Sequence, residues 1–128
     1  MATKDTGRTA VDPEITIAPN PHRVVVKLGG KIIADSKRAL VMRARDAAPS
    51  QYIPQEDVAM SALTRTPHHT HCSYKGDASY WTIRGKGREV PNGVWSYEAP
   101  YEAMAPITGH LAFYADRVDP LEERPVSV

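Results

Sequence analysis

Two β-rich runs, Arg23-Val24-Val25-Val26-Lys27-Leu28 and Lys31-Ile32-Ile33-Ala34-Asp35, are separated only by Gly29-Gly30. Glycine has no Cβ to clash at positive φ, so a two-glycine loop can turn one strand directly back on the other. The segment reads as an antiparallel hairpin, and the rest of the chain has to build on that β structure.

Later segments repeat the signal. Ala78-Ser79-Tyr80-Trp81-Thr82-Ile83-Arg84 is rich in aromatic and β-branched residues and follows the turn signal Lys75-Gly76-Asp77. Strand alternation sends Tyr80 and Trp81 to opposite faces. Pro91-Asn92-Gly93 reads as a turn before a strand at Val94-Trp95-Ser96-Tyr97-Glu98, in which Trp95 and Tyr97 share a face. A last strand is expected at His110 to Tyr114. One short helix is expected near residues 55–63, where Pro54 precedes Gln55-Glu56-Asp57 and then Val58, Ala59, Met60 and Leu63. Glu56 and Asp57 serve its positive end. Residues 36–44 fit strand or helix equally. The expected fold is mainly β: a small single-domain folded sheet or open barrel, tent-like, over residues 15–118. Polar tails are expected at 1–14 and 119–128.

The chain has 128 residues, 41% hydrophobic and 24% charged, which suits one globular domain. Its formal net charge of +1 provides no broad positive field for a phosphate backbone, so general nucleic-acid binding is not expected. Lys31, Lys37, Arg38, Arg43 and Arg45 cluster in one segment and read as a solvated charged face. No apolar run has the length of a membrane span, and Met1 to Asp12 lacks the apolar centre of a signal peptide. With Cys72 as the single cysteine, no intrachain disulfide can form, and a reducing, cytoplasmic setting is expected.

The densest chemistry lies between Thr66 and Asp77, with His68, His69, His71, Cys72 and Lys75 in what reads as a loop. Three readings compete. As a metal site, His69, His71 and Cys72 are proper zinc ligands, but adjacent side chains converge on one ion only with strain and no Cys-x-x-Cys pair completes the shell. No cofactor is therefore expected, with zinc as the alternative. As a catalytic site, Cys72 is the nucleophile, activated by His69, His71 or Lys75, or Lys75 is itself the base or Schiff-base former. As a ligand site, Lys75 and Gly76 supply a charge and an approachable backbone, while Tyr74, Tyr80, Trp95, Tyr97 and Tyr101 supply an aromatic wall. Phosphate-binding loops, dinucleotide fingerprints, zinc-protease helices and nucleophile elbows are absent from the sequence.

Five ordered motifs resemble one bacterial family. They are Gly30-x-x-Ile33-Ala34-Asp35-Ser36, Tyr52-Ile53-Pro54-x-x-Asp57-Val58, Cys72-x-Tyr74-Lys75-Gly76-Asp77-Ala78-x-Tyr80, Val94-Trp95-Ser96-Tyr97-Glu98-x-Pro100-Tyr101 and Gly109-His110-Leu111-Ala112-Phe113-Tyr114. The family is domain of unknown function 427, sometimes labelled nucleotidyltransferase-like. The resemblance implies a small, mainly β protein with a folded, tent-like sheet. It leaves the label without support, since a Gly-Ser pair followed by spaced aspartates is missing here. Ser73 stands where the family usually has proline, and Asp46 where it usually has glutamate. The leading expectation is a binding domain for a small polar or anionic molecule around Lys75. The alternatives are an enzyme using Cys72 or Lys75, with a nucleotide-like molecule as a candidate substrate, and a structural or protein-interaction domain.

Overall fold

The structure, a computed structural model, describes residues 15–45 and 47–125. The N-terminal segment 1–14 lies outside the described residues. Ten strands run in chain order: β1 (Thr16–Pro19), β2 (Arg23–Leu28), β3 (Lys31–Ser36), β4 (Leu40–Arg43), β5 (Ser50–Ile53), β6 (Leu63–Cys72), β7 (Gly76–Arg84), β8 (Glu89–Ser96), β9 (Leu111–Phe113) and β10 (Glu122–Arg124). They form a seven-stranded sheet in the order β1-β4-β5-β9-β8-β7-β6 and a three-stranded sheet in the order β10-β2-β3. Every pairing is antiparallel. The mainly β, folded-sheet architecture expected from the sequence is thus observed.

The glycine hairpin forms as expected. Leu28 pairs with Lys31, and Gly29 and Gly30 turn the chain at φ 61° and 83°. Their N–H groups both donate to the Asp119 carboxylate, at 3.1 and 2.9 Å, and this holds its pKa below the usual range. Asp119 opens the segment expected to be a C-terminal tail. That segment instead continues into β10, which pairs with β2, and Lys27 Nζ meets Glu122 at 3.0 Å. Its Glu-Glu-Arg sequence has no apolar alternation because it is a partly exposed edge strand, which charged residues protect from further pairing.

Residues 40–43 are a strand, fixed between β1 and β5. The helix expected near 55–63 is two separate 3-10 turns, Gln55–Asp57 and Met60–Ala62. Between them the chain is pinned to β3: Val58 bridges Ala34, and the Ala59 N–H donates to the Ile33 carbonyl at 2.8 Å. Extended backbone at that point stops the first turn from propagating. A third 3-10 segment, Glu102–Ile107, was not evident from the sequence.

The histidine-bearing stretch is also a strand. β6 runs to Cys72 as an edge of the large sheet, and only Ser73 to Lys75 form a turn into β7. Pro67 sits where the β6–β7 register slips between Arg65 and His69, a bulge on an edge where proline is tolerated. Pro91 to Gly93, expected as a turn, lie within β8 near a second register shift, with Asn92 at φ 52° and its Oδ1 accepting from Thr66 Oγ1 at 2.6 Å.

Two apolar clusters result. One fills the space between the sheets and includes Val24, Val26, Leu28, Ile33, Ile53, Trp81, Ile83, Val94, Leu111 and Phe113. The other lies on the opposite face of the large sheet and includes Met42, Tyr52, Tyr80, Tyr97, Met104 and Ile107, with Cys72, Trp95 and Tyr114 packed against it. Tyr80 and Trp81 therefore point to opposite faces, and Trp95 and Tyr97 share one, as alternation requires.

Candidate functional site

The second face gathers much of the chain's chemistry. Trp95 Nε1 donates to the Tyr52 hydroxyl at 3.2 Å, and the two rings meet edge to face at 6.2 Å. Tyr114 lies 4.6 Å from the Trp95 ring, and the Tyr80 hydroxyl is 2.9 Å from Thr70 Oγ1. His68 packs edge-on against Tyr80 at 4.5 Å, and the Arg117 guanidinium sits 4.4 Å above Tyr114. Lys75 Nζ stands 5.9 Å from the Tyr97 ring centroid, within reach of a cation–π contact.

Cys72 on β6 lies four strands from Tyr52 on β5, yet both belong to this face, Tyr52 buried within the cluster and Cys72 packed against it. Burial pushes the pKa of Tyr52 up to about 12, that of Tyr114 up to about 12 and that of Tyr97 further still. At neutral pH these phenols are therefore O–H groups, able to donate.

Of the residues singled out from the sequence, Cys72, Lys75, Tyr80, Trp95 and Tyr97 come together here. Gly76, the first residue of β7, is buried at φ 110°, and a Cβ there would lie 3.5 Å from Pro100 Cα. Tyr74 and Tyr101 are exposed and stand outside the cluster. The Tyr101 ring faces His71, and its N–H donates to the Lys75 carbonyl.

The three residues considered for zinc are divided by strand alternation. Cys72 joins the phenol face, whereas His71 Nδ1 pairs with Asp77 at 2.7 Å and His69 lies on the same side as His71. Among the described residues no group of three or more His, Cys, Asp or Glu is placed to hold a metal ion. The same division leaves Cys72 without an imidazole base from His69 or His71. Tyr52, Tyr114 and Thr70 were not foreseen as site residues, and His68, singled out with the other histidines of its stretch, packs on Tyr80. Tyr52 and Tyr114 lay inside the quoted family motifs, but nothing local tells which face a strand tyrosine takes.

Fold and face together define a small, single-domain antiparallel β protein with a phenol-rich cluster on one face of its large sheet. The family model described as Domain of unknown function (DUF427) matches residues 16–124, and the chain belongs to that family. No curated protein matches it. Among the described residues no helix is long and apolar enough to cross a membrane.

Proposed function

We propose that this chain is a binding domain for a small anionic molecule, held on the phenol-rich face with its negative group toward Lys75 and the phenols. One observation carries the reading. Tyr52, Tyr80 and Tyr97 share one buried cluster with Cys72 and Tyr114 packed against it, and the Lys75 ammonium stands 5.9 Å from the Tyr97 ring centroid. Phenols kept protonated by burial, beside a cation, form a set of donors with charge to match a carboxylate or phosphate. A face evolved for packing alone gains nothing from collecting hydroxyl groups, since each one buried needs a partner. The free thiol of Cys72 accords with work in a reducing, cytoplasmic setting.

A thermal-shift screen of carboxylates, sugar phosphates and nucleotides tests this. At least one compound is expected to raise Tm reproducibly, and Lys75→Ala is expected to abolish the rise without lowering the ligand-free Tm by more than a few degrees. A flat screen, or a rise that survives Lys75→Ala, overturns the assignment.

A further inference from the structure

On the other side of the large sheet, at the end of the inter-sheet core, Gln55, Met60, Arg65, Trp81, Ser96 and Glu98 line an opening of about 200 Å3. One polar group in its lining has no partner. Ser96 is 1% exposed, and its Oγ makes no hydrogen bond. An unpaired buried hydroxyl costs about 1–3 kcal/mol, and native proteins rarely carry one without something to meet it. Its cross-strand neighbours do not serve. Leu111 has no polar side chain, and Ser79 Oγ is taken up by Glu98 and Arg65, both at 3.0 Å.

The rim is charged but balanced. Arg65 grips Glu98 through two hydrogen bonds, at 2.7 and 3.0 Å, and its guanidinium lies 5.1 Å over the Trp81 ring. A charged ligand would have to part this fork, whereas an uncharged one leaves it closed. Trp81, Met60 and Leu111 supply the apolar part of a lining that is otherwise polar, with Gln55 beside Ser96 as an uncharged group. At about 30 Å3 per water, the space holds about six waters or one organic molecule of about ten non-hydrogen atoms.

We propose that this opening is a second binding site, for a small uncharged molecule that presents an amide-type group to Ser96 and Gln55 and a flat apolar body to Trp81 and Met60. An amide both donates and accepts, so it satisfies a hydroxyl in either orientation and pairs with the Gln55 carboxamide. The site is independent of the phenol face, from which it is separated by the thickness of the sheet.

Benzamide is the probe, titrated into the isotope-labelled full chain and followed by solution NMR. Saturable shifts are expected at the Ser96 amide and the Trp81 indole N–H. Ser96→Ala is expected to weaken binding about tenfold, the worth of one hydrogen bond. Met60→Trp, which fills the opening from its partly exposed rim, is expected to abolish it. Benzoate, the same shape with a charge, is expected to bind at least about tenfold more weakly. Lys75→Ala is expected to leave the benzamide titration unchanged, so failure here is distinct from failure at the phenol face. Absence of saturable shifts in the wild-type chain, as for a space that holds only water, overturns the proposal, as does equal affinity in Ser96→Ala or for benzoate.

Discussion

The two faces of the large sheet are built from the same strands and differ in kind. On β7, Trp81 and Ile83 enter the inter-sheet core while Ala78 and Tyr80 enter the phenol-rich face. The inter-sheet core is made largely of aliphatic carbon: Val24, Val26, Leu28, Ile33, Ile53, Ile83 and Val94 are all 0% exposed. Such residues need only volume and shape. The opposite face carries phenols, an indole and a thiol, each with a polar atom whose partner must be placed as well as its volume. The first face accounts for why the chain folds. The second spends stability on polar groups that packing does not require, which is where binding chemistry is expected to reside.

The contrast breaks first at Ile83. Ile83→Ala is expected to cost about 3 kcal/mol in urea unfolding, because a fully buried aliphatic side chain leaves a cavity that its neighbours fill only partly. A loss under about 1 kcal/mol would mean the inter-sheet core does not hold the fold.

High pH tests the other face. Unfolded phenols ionise near about pH 10, whereas burial raises Tyr52 and Tyr114 to about 12 and Tyr97 beyond. The folded chain thus keeps protons that the unfolded chain loses. The stability these groups contribute is complete below about pH 10 and is lost as pH rises through about 12, by up to about 3 kcal/mol for Tyr52. Phenolate absorbance of the native protein should show Tyr52, Tyr97 and Tyr114 titrating late, while acid removes the separate contribution of Glu98, whose carboxyl is held low by Arg65. Ionisation of all three tyrosines near the ordinary phenol range in still-folded protein would contradict the burial of this face.

The smallest effect is expected at Tyr80. Tyr80→Phe keeps the ring against His68 but removes the hydroxyl shared with Thr70, at a cost of about 1 kcal/mol in urea unfolding. An unchanged midpoint would show the phenol network to be ornamental to stability, and a loss as large as that of Ile83→Ala would erase the distinction between the faces.

Much of the fold was legible in local chemistry. Gly29-Gly30 marked the hairpin, and the Tyr80-Trp81 and Trp95-Tyr97 patterns assigned faces that the structure keeps. What was not legible depended on partners far away in the chain. Residues 55–63 have the composition of a helix start but are held extended at Val58 and Ala59 by β3. The polar segment after Asp119 becomes a strand only because β2 has a free edge, and the Thr66 to Cys72 stretch is extended because β7 pairs with it. For the site, Lys75, Cys72, Tyr80, Trp95 and Tyr97 could be chosen as chemically apt residues. Ser96, flanked by Trp95 and Tyr97, gave no sign of lining an opening on the reverse face.

By itself the sequence determined the strand-rich character, the two-glycine reversal and the alternation that sends neighbouring side chains to opposite faces, because these follow from φ/ψ sterics and a period of two. The tertiary structure alone decided that Cys72 and Tyr52, four strands apart, join one cluster, and that Ser96 is buried without a partner. Clustering and burial are sums over contacts between distant strands, and no single segment encodes them.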